Sequence, residues 1–364
     1  MSPSELQPAA GAPDISRRHL VATAGAAAAI PALPRQISAV PRQVSAATTR
    51  PASTSSSFST APVPPAADGP AIPASGYLVQ EIADRVFWVT DGLYQSIFLT
   101  TSEGVVLVDA PPTIGHNIVR AISSVTTAPV THAVYSHHHA DHIGAMSLFE
   151  GARRYAQREV VQLLRQTPDP NRPVPEVAFE DHLTLHVGDD VIQLDYHGPN
   201  HSPGNIFIHV PNQRVLMLVD VVFPGWVPFA YLAESQNIPG YLEAPAQALD
   251  YDFETFIGGH LTRLGTRGDI LTHQRYVADL KAQAANAIST FNVDQVYGEV
   301  DPDNPWAIFN AYLSGVASQA AEAVIPDWID ILGGADVYTW ANAYAAVESL
   351  RIDFGELGPF GIRA

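Results

Sequence analysis

His137-His138-His139-Ala140-Asp141-His142 follows directly on the apolar run Val130-Thr131-His132-Ala133-Val134-Tyr135, and the reading of these two stretches decides the fold. Val130–Tyr135 is predicted to be a buried strand. The cluster therefore stands where a strand stops. If the chain stays extended through residue 139, the two-residue period of a strand puts His137 and His139 on one side and His138 on the other. Asp141 and His142 fall at the turn, where they can aim at a neighbouring position. One strand end thus offers a pair of ligands to each of two cations.

A pair does not complete a metal site, so further ligands are expected at other strand ends. Gly198-Pro199-Asn200-His201-Ser202-Pro203-Gly204 carries a histidine in a turn between strands. Leu216-Met217-Leu218-Val219 ends at Asp220, and Gly258-Gly259-His260 follows another short apolar run. An aspartate at the end of such a buried run is costly unless paired, and coordinating a cation removes that cost. The chain has no cysteine, so a metal must be held by nitrogen and oxygen. Zinc suits imidazole and carboxylate ligands best, and iron or manganese fits the same set.

Taken in order, Val108-Asp109, the His-x-His-x-Asp-His cluster, His201, Asp220 and His260 resemble the metallo-β-lactamase-fold hydrolase superfamily across residues 77–272. The resemblance implies an α/β fold, a four-layer αββα sandwich. It also implies two divalent metal ions, one held by His137, His139 and His201, the other by Asp141, His142 and His260, with Asp220 bridging them. Asp109 would brace the loop behind the ligands. Two such cations lower the pKa of a shared water and polarise the carbonyl under attack, and Asp141 can orient the hydroxide and collect its proton.

Fold does not fix the substrate. A bridging aspartate and the lack of cysteine resemble the lactonase and hydroxyacylglutathione hydrolase branches more than the true β-lactamases, which leaves β-lactam hydrolysis as an alternative. Thioester hydrolysis on glutathione conjugates calls for a basic patch, and residues 273–364 hold only Arg275, Lys281, Arg351 and Arg363. Phe223, Trp226, Phe229 and Tyr231 follow Asp220 closely and either wall an apolar pocket or fill the core. The expectation is a small-molecule substrate: a lactone or other carboxylic ester with an apolar portion. A single-iron persulfide dioxygenase and a non-catalytic metal-binding protein are the readings outside hydrolysis.

Around the motifs, strands are expected at 83–92, 96–100, 105–108 and 130–135, a helix at 114–124, a second helix at 151–166, a strand meander at 179–196, and a hairpin of 206–210 and 214–219 turning at Pro211-Asn212-Gln213. Strand, helix, strand order with polar residues at strand ends argues for a layered α/β domain. After Thr272 the pattern becomes Ala-rich, with helices expected at 273–289, 306–323 and 335–350. Residues 273–364 read as a helical extension serving as a lid or as the contact surface of a homo-oligomer.

Ser16-Arg17-Arg18-His19-Leu20 before the small apolar run Val21–Leu33 resembles a twin-arginine export signal, so 1–47 reads as signal and start of linker, 48–76 as disordered linker, and the mature protein as periplasmic or secreted. Acidic residues outnumber basic ones 37 to 19, for a formal net charge of -18. That field repels nucleic acid and anionic lipid, and the mature part holds no apolar run long enough for a membrane span.

Overall fold

The computed structural model describes residues 60–361; the signal-like segment 1–47 and the linker up to residue 59 lie outside the described residues. The first sheet holds β1 (Leu78–Ala83), β2 (Val86–Thr90), β3 (Gln95–Thr101), β4 (Gly104–Val108), β5 (Val130–Val134), β6 (Arg153–Gln157) and β7 (Val177–Phe179), paired in that order. β1 to β4 are antiparallel and β4 to β7 parallel. The parallel half needs crossovers, supplied by α1 (His116–Val125), a short α2 (Ala140–Ile143) and α3 (Arg158–Gln166). The second sheet runs β12 (Thr255–Ile257), β11 (Val215–Met217), β10 (Phe207–Val210), β9 (Asp190–Asp195) and β8 (His182–Val187), with only β11 and β12 parallel.

Side-chain alternation makes the layers. In the first sheet Ile97, Leu99, Val106 and Val108 point into the core between the sheets, where they meet Ile208, Val215, Met217, Val219 and Ile257. Their neighbours Phe98, Val105 and Leu107 point the other way, onto Ile118, Ala121 and Ile122 of α1 and Val160, Val161 and Leu164 of α3. The second sheet repeats the device: Phe207, Leu216, Leu218 and Phe256 face outward into a third core. There they meet α5 (Ile238–Leu249), α6 (Arg267–Thr290), α8 (Pro305–Trp328) and α9 (Ala335–Ile352), with α7 (Asp294–Tyr297) between α6 and α8. The result is the expected αββα sandwich with C-terminal helices packed on it. No helix among the described residues is long and apolar enough to cross a membrane.

Three expectations need correction. Residues 151–166 are not one helix, because Arg153–Gln157 pairs in parallel with both β5 and β7 before the chain turns helical at Arg158. The division at 273 falls inside α6, which opens at a Thr266–Asp269 capping box. Ile270, Tyr276, Val277 and Leu280 of this helix share a core with the second sheet, so the C-terminal helices continue the outer layer. The segment from Thr60 to Gly76, linker by composition, is strapped down: Ala67 is buried, Ala61 N–H donates to Asp336 (2.6 Å) and Ala66 O accepts from Arg263 (2.6 Å). Backbone bonding to distant partners, invisible in composition, supplies the order.

His273 lies in this outer core, 2% exposed, with neither ring nitrogen hydrogen-bonded, its ring edge-on to Tyr241. Burial pushes its pKa down to about 3. Between the ordinary value near 6.5 and that figure the unfolded chain takes up a proton that the folded one refuses, so stability is lost as pH falls through this window. His273→Leu is expected to raise the thermal unfolding midpoint, by more at pH 5 than at pH 8; an equal shift at both values contradicts the assignment.

Candidate metal centre

The chemistry-bearing residues stand in the segments that join strand ends. β5 ends at Val134 and the chain bends at residues 136–138 instead of staying extended through 139. His139, extended (φ −67°, ψ 141°), caps α2, which carries Asp141 and His142. β10 is preceded by the His201 loop, β11 is followed by Asp220, and β12 by Gly258-Gly259-His260. Gly259 (φ +86°) is required by space as well as by conformation: a Cβ there would meet Val219 at 2.6 Å and stand 3.3 Å from the His142 ring. Asp109 (φ 59°), Asp220 (φ 63°) and Leu261 (φ 65°) also adopt left-handed backbone, a strain of about 1–3 kcal/mol each that concentrates at working sites.

The side chains converge on Asp220, which is 2% exposed. Its Oδ2 lies 3.4 Å from His137 Nε2, 3.3 Å from His201 Nε2 and 3.1 Å from His142 Nε2, and its Oδ1 lies 3.0 Å from His260 Nε2. His139 Nδ1 faces His201 Nε2 at 3.0 Å, and His142 Nε2 faces His260 Nε2 at 3.0 Å. The Asp141 Oδ2 is 3.6 Å from His142 Nε2 and 3.8 Å from His260 Nε2. Two groups of possible metal ligands result, His137, His139, His201 and Asp220 in one, Asp141, His142 and His260 in the other, with the Asp220 carboxylate in reach of both.

These residues fit a cation better than they fit each other. Tetrahedral ligands at zinc-like bond lengths stand about 3.3 Å apart, close to the spacings above. Hydrogen bonding leaves His137 Nε2 and Asp220 Oδ1 without partners in the buried centre, an expensive state that coordination relieves. Electrostatics says the same. Burial works to raise the Asp220 pKa, yet His142, His201 and His260 outweigh it and hold the carboxyl well below its usual range. Burial works to lower that of His142, yet Asp220, Asp141 and Asp109 outweigh it and push it up to about 9. His137 is held well below its ordinary value by burial and then by His139 and His142, so its lone pair stays free. The carboxylates thus demand positive charge here, and burial holds His139 and His201, like His137, below the ordinary imidazole value.

Behind the ligands, Asp109 Oδ1 accepts from Ser136 N–H (2.8 Å) while Oδ2 stands 4.0 Å from His142 Nδ1. Burial pushes this carboxyl up to about 6, against the opposing pull of His142. Ser136 Oγ is 2.9 Å from His137 Nδ1. Asn200 Oδ1 accepts from His201 N–H (2.7 Å) and from Asn205 (2.8 Å), which also donates to Val219 O. His138 is in neither ligand group, and its carbonyl accepts from Arg172 (3.0 Å).

Of the aromatic residues after Asp220, Phe223 and Phe229 lie with ring centroids 5.9 and 6.1 Å from His260. The other two do not join them: Trp226 packs on Gly333 and donates to Thr262, and Tyr231 is exposed beside Tyr344. Sequence reasoning missed Tyr94, whose hydroxyl donates to Asp141 Oδ2 at 3.3 Å and whose ring is 4.5 Å from that of His260. Burial, and then Asp141, push this phenol up to about 12. Only the Asp91-Gly92 turn beside it is legible in sequence; the Tyr94–His260 bridge that places it joins distant segments.

The family model of the metallo-beta-lactamase superfamily matches residues 89–260, the span that holds every ligand group. The chain is 26% identical over 231 residues to the 2,4-dinitroanisole O-demethylase subunit alpha of Nocardioides sp. (strain JS1661), covering 62% of this chain and 67% of the relative. It is 26% identical over 126 residues to the metallo-beta-lactamase type 2 of Elizabethkingia meningoseptica, 34% of this chain and 49% of that one, so the match spans about half of the lactamase. Among solved structures, the metallo-beta-lactamase from Pontibacter korlensis overlaps 55% of this chain and 97% of its own, with a TM-score of 0.47 and 18% identity. Over residues 89–260 the chain is thus similar to the metallo-beta-lactamase superfamily.

Asp109→Ala, which leaves every ligand in place, is expected to weaken metal retention by about ten- to a hundredfold in chelator competition; unchanged affinity would contradict its bracing role.

Proposed function

We propose that the protein is a two-metal hydrolase that attacks the carbonyl of a lactone or other carboxylic ester with an apolar portion. One observation carries this reading: a single buried carboxylate, Asp220, within 3.0–3.4 Å of four imidazoles that belong to two ligand groups. His137, His139 and His201 would hold one divalent cation, Asp141, His142 and His260 the other, with Asp220 shared; zinc is the metal its ligands favour. When bound, such a pair supplies a water acidified toward neutral pH and a Lewis acid for the carbonyl oxygen.

The chain's own residues supply the rest. Asp141 is half exposed at the mouth; its Oδ2 is occupied by the Tyr94 hydroxyl, so Oδ1 is the atom that takes the proton given up by the attacking water. Tyr94, kept as a neutral phenol, holds that carboxylate in one rotamer. Phe223 and Phe229 present apolar surface beside His260 and bind the non-reacting part of the substrate. The same aromatic wall favours a second reading, an aryl ether, since the relative matched over 231 residues is named for demethylating 2,4-dinitroanisole. The twin-arginine-like segment supports delivery of the folded, metal-loaded protein to the periplasm or outside.

The zinc-loaded protein is to be assayed on a lactone, an aryl ester, a thioester, a cephalosporin and 2,4-dinitroanisole. Turnover of lactone or ester, lost on Asp220→Ala together with the metal, is the expected result. Turnover of the ether or of the cephalosporin alone would replace the proposed substrate class. Phe229→Ala is expected to raise KM several-fold with kcat nearly kept, whereas Trp226→Ala, which removes the packing on Gly333 and the bond to Thr262, should lower stability and leave KM unchanged.

A further inference from the structure

Between the Asp220 strand end and α5 the chain makes a turn that L-amino acids avoid. In the short α4 (Ala230–Glu234), Tyr231, Leu232, Ala233 and Glu234 all have positive φ, at 58°, 54°, 60° and 52°. This is a full turn of left-handed helix, closed by Ala233 N–H donating to Phe229 O at 2.9 Å. None of the four is glycine, so each carries the Cβ–carbonyl crowding that makes left-handed helix unfavourable. Local sequence does not choose this shape, and something outside the segment must impose it.

One side chain does. Asn342, in the middle of α9, is fully buried. Its Oδ1 accepts from Leu232 N–H inside the turn (2.8 Å), and its Nδ2 donates to Pro228 O just before the turn (2.8 Å). The second hydrogen of the same amide points to Tyr276 OH of α6 (3.3 Å), which is itself 3.0 Å from Thr339 Oγ1 of α9. Leu232 and Ala233 are sunk in the outer core beneath it.

The two ends of the turn lead to the metal centre. Phe229, immediately before it, stands beside His260. Immediately after it, Gln236 N–H donates to His201 O (2.8 Å) and Asn237 N–H to Asn200 O (3.2 Å), so the returning chain is bonded to the backbone of a ligand residue. Glu234 lies within electrostatic reach of His139. We infer that Asn342 is a positioning residue: by clamping the left-handed turn Tyr231–Glu234 it makes the C-terminal helical layer set the placement of the His201 loop and of the Phe229 wall. This deepens the functional reading above and rests on it, and it gives α9 a task beyond covering the second sheet.

The test compares wild type, Asn342→Ala, Ala233→Gly and the double variant, each full length, by zinc competition against a chromophoric chelator. Glycine adopts positive φ without the Cβ penalty, so Ala233→Gly should make the clamp less necessary. The expected result is about tenfold weaker zinc binding in Asn342→Ala, at least partly restored in the double variant, with little change from Ala233→Gly alone. Equal affinity of Asn342→Ala and wild type, or a loss that Ala233→Gly does not restore, overturns the inference. Asn342→Asp, which keeps the acceptor for Leu232 but loses the donations, replaces Asn342→Ala if that variant does not fold; its unchanged affinity is equally contradictory. A wild type that binds no zinc sinks the functional reading instead, and the clamp is then judged by thermal unfolding of the same proteins. A midpoint raised by Ala233→Gly more in the Asn342→Ala background than in wild type supports the clamp, and equal shifts overturn it.

Discussion

A carboxylate with almost no exposure cannot remain ionised unless positive charge is brought to it, and Asp220 is the point from which the rest of the molecule follows. Four imidazoles crowd its oxygens at hydrogen-bond distance; two of them, His142 and His260, face each other, and a third, His201, faces His139. Such a cluster of bases around one anion is poorly satisfied by protons: two centre atoms remain unpaired, and the surrounding carboxylates push the His142 pKa up against the opposing effect of burial. Cations held between the groups would satisfy these ligand lone pairs. The arrangement makes physical sense as a metal centre and little sense otherwise.

The fold provides what such a centre needs, ligands from distant parts of the chain fixed on rigid supports. Two sheets bring four strand ends together, and α2 turns Asp141 and His142 inward. Residues at the rim accept strained backbone so that short side chains reach the centre. Asp109, Asn200 and Asn205 then lock the ligand loops by hydrogen bonds to their backbones, and the Ser136 hydroxyl pairs with the His137 ring. The helical layer over the second sheet belongs to the same logic, because its core continues through Phe207, Leu216 and Phe256 into the strands that carry His201, Asp220 and His260.

Much of this was readable from the chain alone. The buried runs before His137 and before Asp220 announce strands by composition, and ligand types gathered at their ends announce a cation site, so a layered α/β domain with such a site is legible in the residues, while the αββα sandwich and the division into two ligand groups came from the family resemblance. The residues that escaped were those whose role depends on tertiary contact. Tyr94 follows an ordinary turn, Asn200 sits unmarked beside a histidine, and Asn342 is one polar residue in an Ala-rich helix. Each acts on a segment more than a hundred residues away or on a backbone group, and neither spacing nor periodicity records that. The same holds for Arg153–Gln157, where pairing with two neighbours outweighs a helical pattern, and for Thr60–Gly76, where long-range hydrogen bonds order a composition that reads as linker. Trp226 and Tyr231 show the opposite error: nearness in sequence to Asp220 did not bring their rings to the ligands.

The central claim is that Asp220 unites two cation sites. Elemental analysis of the purified full-length protein, after loading with zinc and removal of excess, tests it most directly. About two zinc ions per chain, with both lost together on Asp220→Ala, is the expected result. One ion per chain, or an Asp220→Ala variant that retains its metal, would contradict it.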